Sequence, residues 1–241
     1  MKDKIEKTKF VADAVANGYL IADQKLSLLA PLLEDQDLYQ SWNETPGARA
    51  VDAMRMTIYM AILSDMRSLL FDEDKRSASL QQIIHSLENE DVVKALRSNY
   101  AQASPIDMIG EYADENSKNS LAEHIQNEQV KELEATFDEK CPKIIKEFYM
   151  LKASELGVRV DTARSKIISH KEINNSNGER ALFNPTDFGL KWSDAKNIME
   201  QSKDLIFETN LIINNSHYDL KGFIYGHREA GDSFWSRAKN A

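Results

Sequence analysis

The chain has 241 residues, 42% of them apolar and 29% charged, and a formal net charge of −9. That is enough for one large domain or two small ones with a real core, so global disorder is excluded, and the negative balance argues against non-specific binding of nucleic acid over the whole surface. One cysteine, Cys141, no apolar run of signal-peptide type behind the N-terminus, and no stretch of about eighteen apolar residues predict a cytoplasmic protein with no internal disulfide framework and no membrane contact.

The pattern is helical from end to end, because prolines are few and β-branched runs of strand length are nearly absent. Residues 5–33 predict a first amphipathic helix with Phe10, Val11, Val15, Leu26, Leu29 and Leu33 in the core. Gly18 within it costs about 1 kcal/mol, which a close helix crossing would explain. Leu38, Tyr39 and Trp42 then cap the core. Thr45 as N-cap with Pro46 at the first helical position opens a strongly apolar helix to about Leu70, the expected central helix. Its methionines, Met54, Met60 and Met66, read as packing, and Arg55 and Arg67 point to the surface or to carboxylates.

Residues 72–76 form a charged turn, in which Asp72, Glu73 and Asp74 read as solvated or as ligands for a hard cation. Ser79 and Gln82 make a capping box for a helix to Leu87 that carries His85, and residues 90–99 continue it or form another. Ser104-Pro105 with Asp107 is a further cap signature, residues 111–120 read as an acidic loop, and Ser120 with Glu123 caps a helix to about Lys140. Pro142 kinks or restarts that helix, which keeps its apolar spacing to His170, with a bend or close crossing at Gly157. Residues 173–189 read as turn and loop, and 191–214 as a helix. From Tyr218 onward the reading is open: Phe223, Ile224 and Tyr225 as an extended piece, and residues 228–238 as a short helix anchored by Phe234 and Trp235.

The all-α chain thus divides into a bundle over residues 1–216 and an extension, 217–241, packing on the same domain. There is no glycine-rich phosphate loop, dinucleotide fingerprint, nucleophile elbow or His-Glu-x-x-His. The five histidines are too scattered to predict a metal site, and no cofactor is predicted. Residues 143–171 hold seven basic side chains (Lys143, Lys146, Lys152, Arg159, Arg164, Lys166 and Lys171) against Glu147, Glu155 and Asp161, a local charge of +4. That helix face is either ordinary solvated lysine or a local attraction for a phosphate backbone.

Along residues 156–172, Leu156, Val160, Ala163 and Ile167 fall within one narrow arc and predict a stripe seeking a partner surface. Arg164 and His170 flank it, about 120° apart around the axis and about 9 Å along it. RNA can be cut without metal when its 2′-hydroxyl attacks the adjacent phosphorus. A histidine supplies the proton transfer and an arginine steadies the charge growing on the phosphoryl oxygens. One pair so far apart is too dispersed, whereas a twofold dimer joined stripe to stripe would assemble two of each in one cleft. Lys166 and Lys171 add positive charge, Asp161 orients the guanidinium, and Ser165 and Ser169 donate hydrogen bonds. The plain alternative pairs Arg164 with Asp161 and sets His170 at a helix C-terminus.

The string TARSKIISHKE, residues 162–172, resembles the Arg-x(4–6)-His signature of the HEPN superfamily in its AbiU2-like form. LLFDEDKRSASL, residues 69–80, is similar to that branch's helix end, acidic turn and helix start. Together they would place residues 10–214 in that branch, whose relatives are elongated helical bundles, typically dimeric, found in toxin–antitoxin and phage-defence systems. The resemblance implies a metal-independent endoribonuclease with Arg164 binding phosphate and His170 as acid–base. It equally allows a non-catalytic dimer acting as adaptor, regulator or RNA-binding module, with an antitoxin or another defence protein as partner. Ser165 departs from the pattern, which commonly has Asn, Asp or His there.

Overall fold

The structure, a computed structural model, describes residues 1–102, 115–163, 173–174, 181–182 and 189–239. Over these the chain is all-α: α1 (Lys2–Glu34), α2 (Gln36–Gln40), α3 (Ala48–Phe71), α4 (Leu80–Leu87), α5 (Glu90–Tyr100), α6 (Glu115–Ala153), α7 (Glu155–Ala163), α8 (Ser193–Asn214) and α9 (Leu220–Lys239). A two-residue antiparallel ladder, β1 (Ile173–Asn174) with β2 (Ala181–Leu182), pairs Ile173 with Leu182.

α1 is the axis of the bundle, about 50 Å long at 1.5 Å per residue. It packs on α3, α8 and α9, and also meets α2, α4 and α5. α3, expected at the centre, is one of its neighbours. The reason lies in α1's buried face, where Ala12, Ala16 and Ala22 alternate with Val11, Val15, Tyr19 and Leu29 and let other helices approach closely. Gly18 is the closest approach: a Cβ there would lie 2.5 Å from Leu69 Cδ2 of α3. Phe10, expected in the core, is 71% exposed, because the buried arc turns past it through Val11 and Val15.

Local signals set several boundaries. Ser79 caps α4, accepting from the Gln82 N–H at 3.3 Å, but the Gln82 side chain donates to the Glu73 carbonyl, 3.0 Å, and does not close the box. Asn89 caps α5 through the Val92 N–H, 3.2 Å. α3 begins at Ala48, not at Pro46, because the Thr45 hydroxyl donates to the Trp42 carbonyl, 2.7 Å, and is spent on the preceding turn. α6 already runs from Glu115, so Ser120 is inside a helix and starts none. It continues through Pro142, where Phe137, Cys141, Ile144 and Phe148 are all buried and their packing outweighs one missing hydrogen bond. The Ser104-Pro105-Asp107 cap lies outside the described residues.

α9 is one helix from Leu220, so Phe223, Ile224 and Tyr225 are not extended. Asp219 accepts from the Gly222 N–H, 3.1 Å, and starts it. Trp235 is buried with Leu32, Leu38 and Val51, with Tyr39 and Trp42 packed alongside, and its indole N–H donates to the Leu28 carbonyl, 2.9 Å. Among the described residues no helix is long and apolar enough to cross a membrane.

Candidate functional site at the end of α7

The break between α6 and α7 is set by Ser154. Its hydroxyl donates to the Leu151 carbonyl, 2.7 Å, and accepts from the Gly157 N–H, 3.0 Å, capping α7. A Cβ on Gly157 would strike the Leu151 carbonyl oxygen, so glycine permits the bend. The expected bend is therefore present, three residues before Gly157, and residues 143–163 are two helices, not one.

α7 then lies against α3, α6 and α8. Leu156, Val160 and Ala163 are buried, as their shared arc requires, but they are buried within this chain. These three do not face a second copy, which corrects the stripe-to-stripe contact. The partner surface the stripe needed is supplied by the rest of the bundle. Ile167, the fourth residue of the arc, lies outside the described residues.

Two ion pairs fix α7. Arg67 of α3 donates from Nε to Asp161 Oδ1 at 2.8 Å and lies 3.7 Å from Asp72. Arg159 donates to Asp194 through Nε, 3.2 Å, and Nη2, 3.0 Å, and Asp194 also accepts from the Lys191 N–H, 3.0 Å. Asp194 is 1% exposed, so α8 opens on a buried carboxylate matched by a guanidinium. That contact holds the Arg159 side chain firmly charged, raised further above the usual arginine range. The Tyr59 hydroxyl donates to the Lys191 carbonyl, 2.8 Å, and Trp192 rests on Tyr59 with the Arg55 guanidinium 4.3 Å from its ring. Arg55 also lies 4.4 Å over Tyr39, so its partners are aromatic rings.

Arg159 thus joins α7 to the start of α8. Gly189, with φ of +65°, would place a Cβ 3.8 Å from the Arg159 side chain. Arg164, Ser165, Lys166, Ser169, His170 and Lys171, the expected site, lie outside the described residues. Asp161, the remaining member, is the last fixed acidic group before Arg164. Arg159 and Asp194 are the anchors the sequence hid: their partnership spans 35 positions, and only the lone acid one residue into α8 hinted at it.

Of the basic residues counted there, three among the described residues are matched by acids. Lys143 lies 3.7 Å from Glu147 and 3.6 Å from Glu208, Lys152 donates to Glu73 at 2.9 Å, and Arg159 is matched as above. In the 72–76 turn, Glu73 meets Lys152, Asp72 lies near Arg67, and Asp74 binds Arg76 in a fork that holds its carboxyl down to about 2. Among the described residues no group of three or more His, Cys, Asp and Glu side chains converges. Cys141 is buried, which pushes its thiol up to about 11 and leaves it no activated nucleophile.

No curated protein and no solved structure matches the chain. A family model does, that of the HEPN proteins described as AbiU2, over residues 10–234, which takes in both the α3–α4 turn and the Arg164–His170 string. The chain belongs to the AbiU2 family of HEPN proteins.

Proposed function

We propose that this protein is a metal-independent endoribonuclease that works as a homodimer. Arg164 stabilises the phosphoryl oxygens while His170 moves the proton between the 2′-hydroxyl and the leaving 5′-oxygen. Lys166 and Lys171 add positive field, and Ser165 and Ser169 donate hydrogen bonds. Asp161 orients the arginine with a carboxylate it shares with Arg67. The observation that carries this reading is family membership over a range that includes both functional residues. The rigid mounting of α7 supports it, because a catalytic group gains from a scaffold whose rotamers are locked. With the α7 stripe already covered, two copies meet through other surface and bring their Arg164 and His170 pairs to one groove. The context is a defence or toxin–antitoxin system in which a protein partner restrains the cleavage.

The test incubates total cellular RNA with the purified protein in chelator. Cleavage leaving 2′,3′-cyclic phosphate ends, lost in both Arg164→Ala and His170→Ala with unchanged circular dichroism, is the expected result. No cleavage by the partner-free protein, or cleavage unchanged in the variants, overturns it. The first of these outcomes leaves a non-catalytic adaptor dimer as the reading.

A further inference from the structure

The outer arcs of α1 and α3 form one band without charge. On α3 the buried residues Val51, Tyr59, Ile62, Met66 and Leu70 share one side. At 3.6 residues per turn, the opposite side runs from Ala50 through Ala53, Met54, Thr57, Ala61 and Ser64 to Ser68, about five turns without an ionisable group. Its first four members are exposed and its last three half-buried. On α1, Phe10, Ala14, Asn17, Ile21 and Gln24 share a second uncharged arc. Phe10 is 71% exposed and Ile21 54%, both far from what a core position shows.

The two helices meet at Gly18 with Leu69 and at Lys25 with Asp65, so the arcs join near Ile21 and Ser68. Lys25 and Asp65 stand at that junction and are bonded to each other. A neutral band of this length, with large apolar side chains exposed at one end, is unusual in a chain with 29% charged residues and marks an interaction surface.

We propose that two copies of the chain meet through this band, α3 of one antiparallel to α3 of the other. This rests on the homodimer reading and assigns that dimer its surface. Each copy carries −9 and repels its image. A twofold contact also sets any charge near the axis against the same charge, so a surface that faces itself has to be neutral there. A charged partner of another kind would be held by opposite charge, which the band does not offer. The relief fits a second copy too. The α1 end projects Phe10 and Ile21, while the α3 end presents short side chains and Met54. A twofold axis near Ser64 lays the projecting end of each copy on the shallow end of the other. The band is about 40 Å long and up to two helices wide, which gives about 600–800 Å² per copy, close to one side of a stable interface. Arg67, less than a turn from Ser64, binds Asp161 of α7, so the same axis sets the two α7 ends on either side of it.

The experiment is sedimentation equilibrium of the full chain at about 1–100 μM, with and without Ile21→Glu/Thr57→Glu. Both side chains are exposed, so the double variant is expected to keep its circular dichroism. The wild type should be a dimer, and the variant should associate at least about tenfold more weakly. Phe10→Ser should weaken the dimer in the same direction, and Phe223→Glu, on the exposed side of α9, should leave it intact. Ser64→Cys should join two copies through a short bifunctional maleimide, whereas the wild type, whose Cys141 is buried, should not. A dimer unchanged in both Ile21→Glu/Thr57→Glu and Phe10→Ser, or one that Ser64→Cys does not cross-link, overturns this surface and leaves the homodimer reading standing. A wild type that is monomeric at 100 μM overturns both. A dimer broken as expected that cuts no RNA supports this surface and removes only the ribonuclease reading.

Discussion

α7 and α9 both attach to the bundle after a turn, and they are held in opposite ways. α7 is nine residues long, buries Leu156, Gly157, Val160 and Ala163, and is pinned by the Arg67–Asp161 and Arg159–Asp194 contacts. α9 is twenty residues long and leaves Phe223, Tyr225 and Phe234 exposed. Its hold is chiefly on α1, along a long contact that includes Gly231 against the Ser27 carbonyl, Trp235 on Leu28, Arg228 on Glu34, and His227, whose Nδ1 lies 2.8 Å from Asp23 Oδ2. A short helix fixed on three sides makes a mount for whatever follows it. A long helix held chiefly by α1, with Trp235 reaching Leu38 and Val51, touches none of the groups that pin α7 and so acts as a strap whose opening is expected to leave the mount in place.

The largest effect expected is at the strap. Trp235→Ala removes the anchor of the smaller cluster and should cost about 3–4 kcal/mol. Hydrogen exchange should then show α9 opening while α7 stays protected. Opening of both together would merge the two regions into one unit. Asp194→Ala tests the mount. It strands the Arg159 guanidinium and should cost about 3 kcal/mol, at the lower end for a broken buried pair because Arg159 keeps some solvent. Thermal unfolding reads this, and a loss under about 1 kcal/mol would show that the pair does not anchor α7. Gly157→Ala forces a Cβ into the Leu151 carbonyl and should cost about 2 kcal/mol, with exchange rising in α7 before α9. Tyr59→Phe loses one hydrogen bond to Lys191 and should cost about 1 kcal/mol.

The smallest effect concerns Cys141, on α6. Burial raises its folded pKa from its ordinary value of 9.0 to about 11. The thiol's contribution to stability is therefore whole below about pH 9 and is lost as pH rises through about 11. Alkylation at pH 8 should be negligible in the native protein and rapid in denaturant. Fast native labelling would contradict the burial.

Much of the fold was legible in residues whose signal is local. The stripe Leu156, Val160, Ala163 named the buried face of α7 correctly, and Gly18 announced a crossing that Leu69 occupies. Ser79 capped α4 as its spacing required. What a single sequence could not carry was identity of partner. The same stripe serves a dimer or a bundle equally, and only packing decides; here the bundle takes it. Pro142 predicted a kink or restart on propensity, and tertiary contacts outweighed it. The exposed Phe223, Tyr225 and Phe234 blurred the period of α9, since large apolar residues outside the core look like core in one dimension. Of the proposed site, Arg164 and His170 stand in the sequence as a motif. The anchors Arg159 and Asp194 were not, because an ion pair across 35 residues leaves no local pattern.

The central claim is that Arg164 and His170 from two copies act in one groove, and it can be tested by mixing. Purified Arg164→Ala and His170→Ala proteins, each folded and inactive alone on RNA in chelator, are combined and allowed to exchange protomers. The account predicts that cleavage with 2′,3′-cyclic phosphate ends returns in the mixture, because a mixed dimer keeps one arginine and one histidine in the shared groove. A mixture of demonstrably exchanged dimers that stays as inactive as its parents, beside an active wild type, would contradict it.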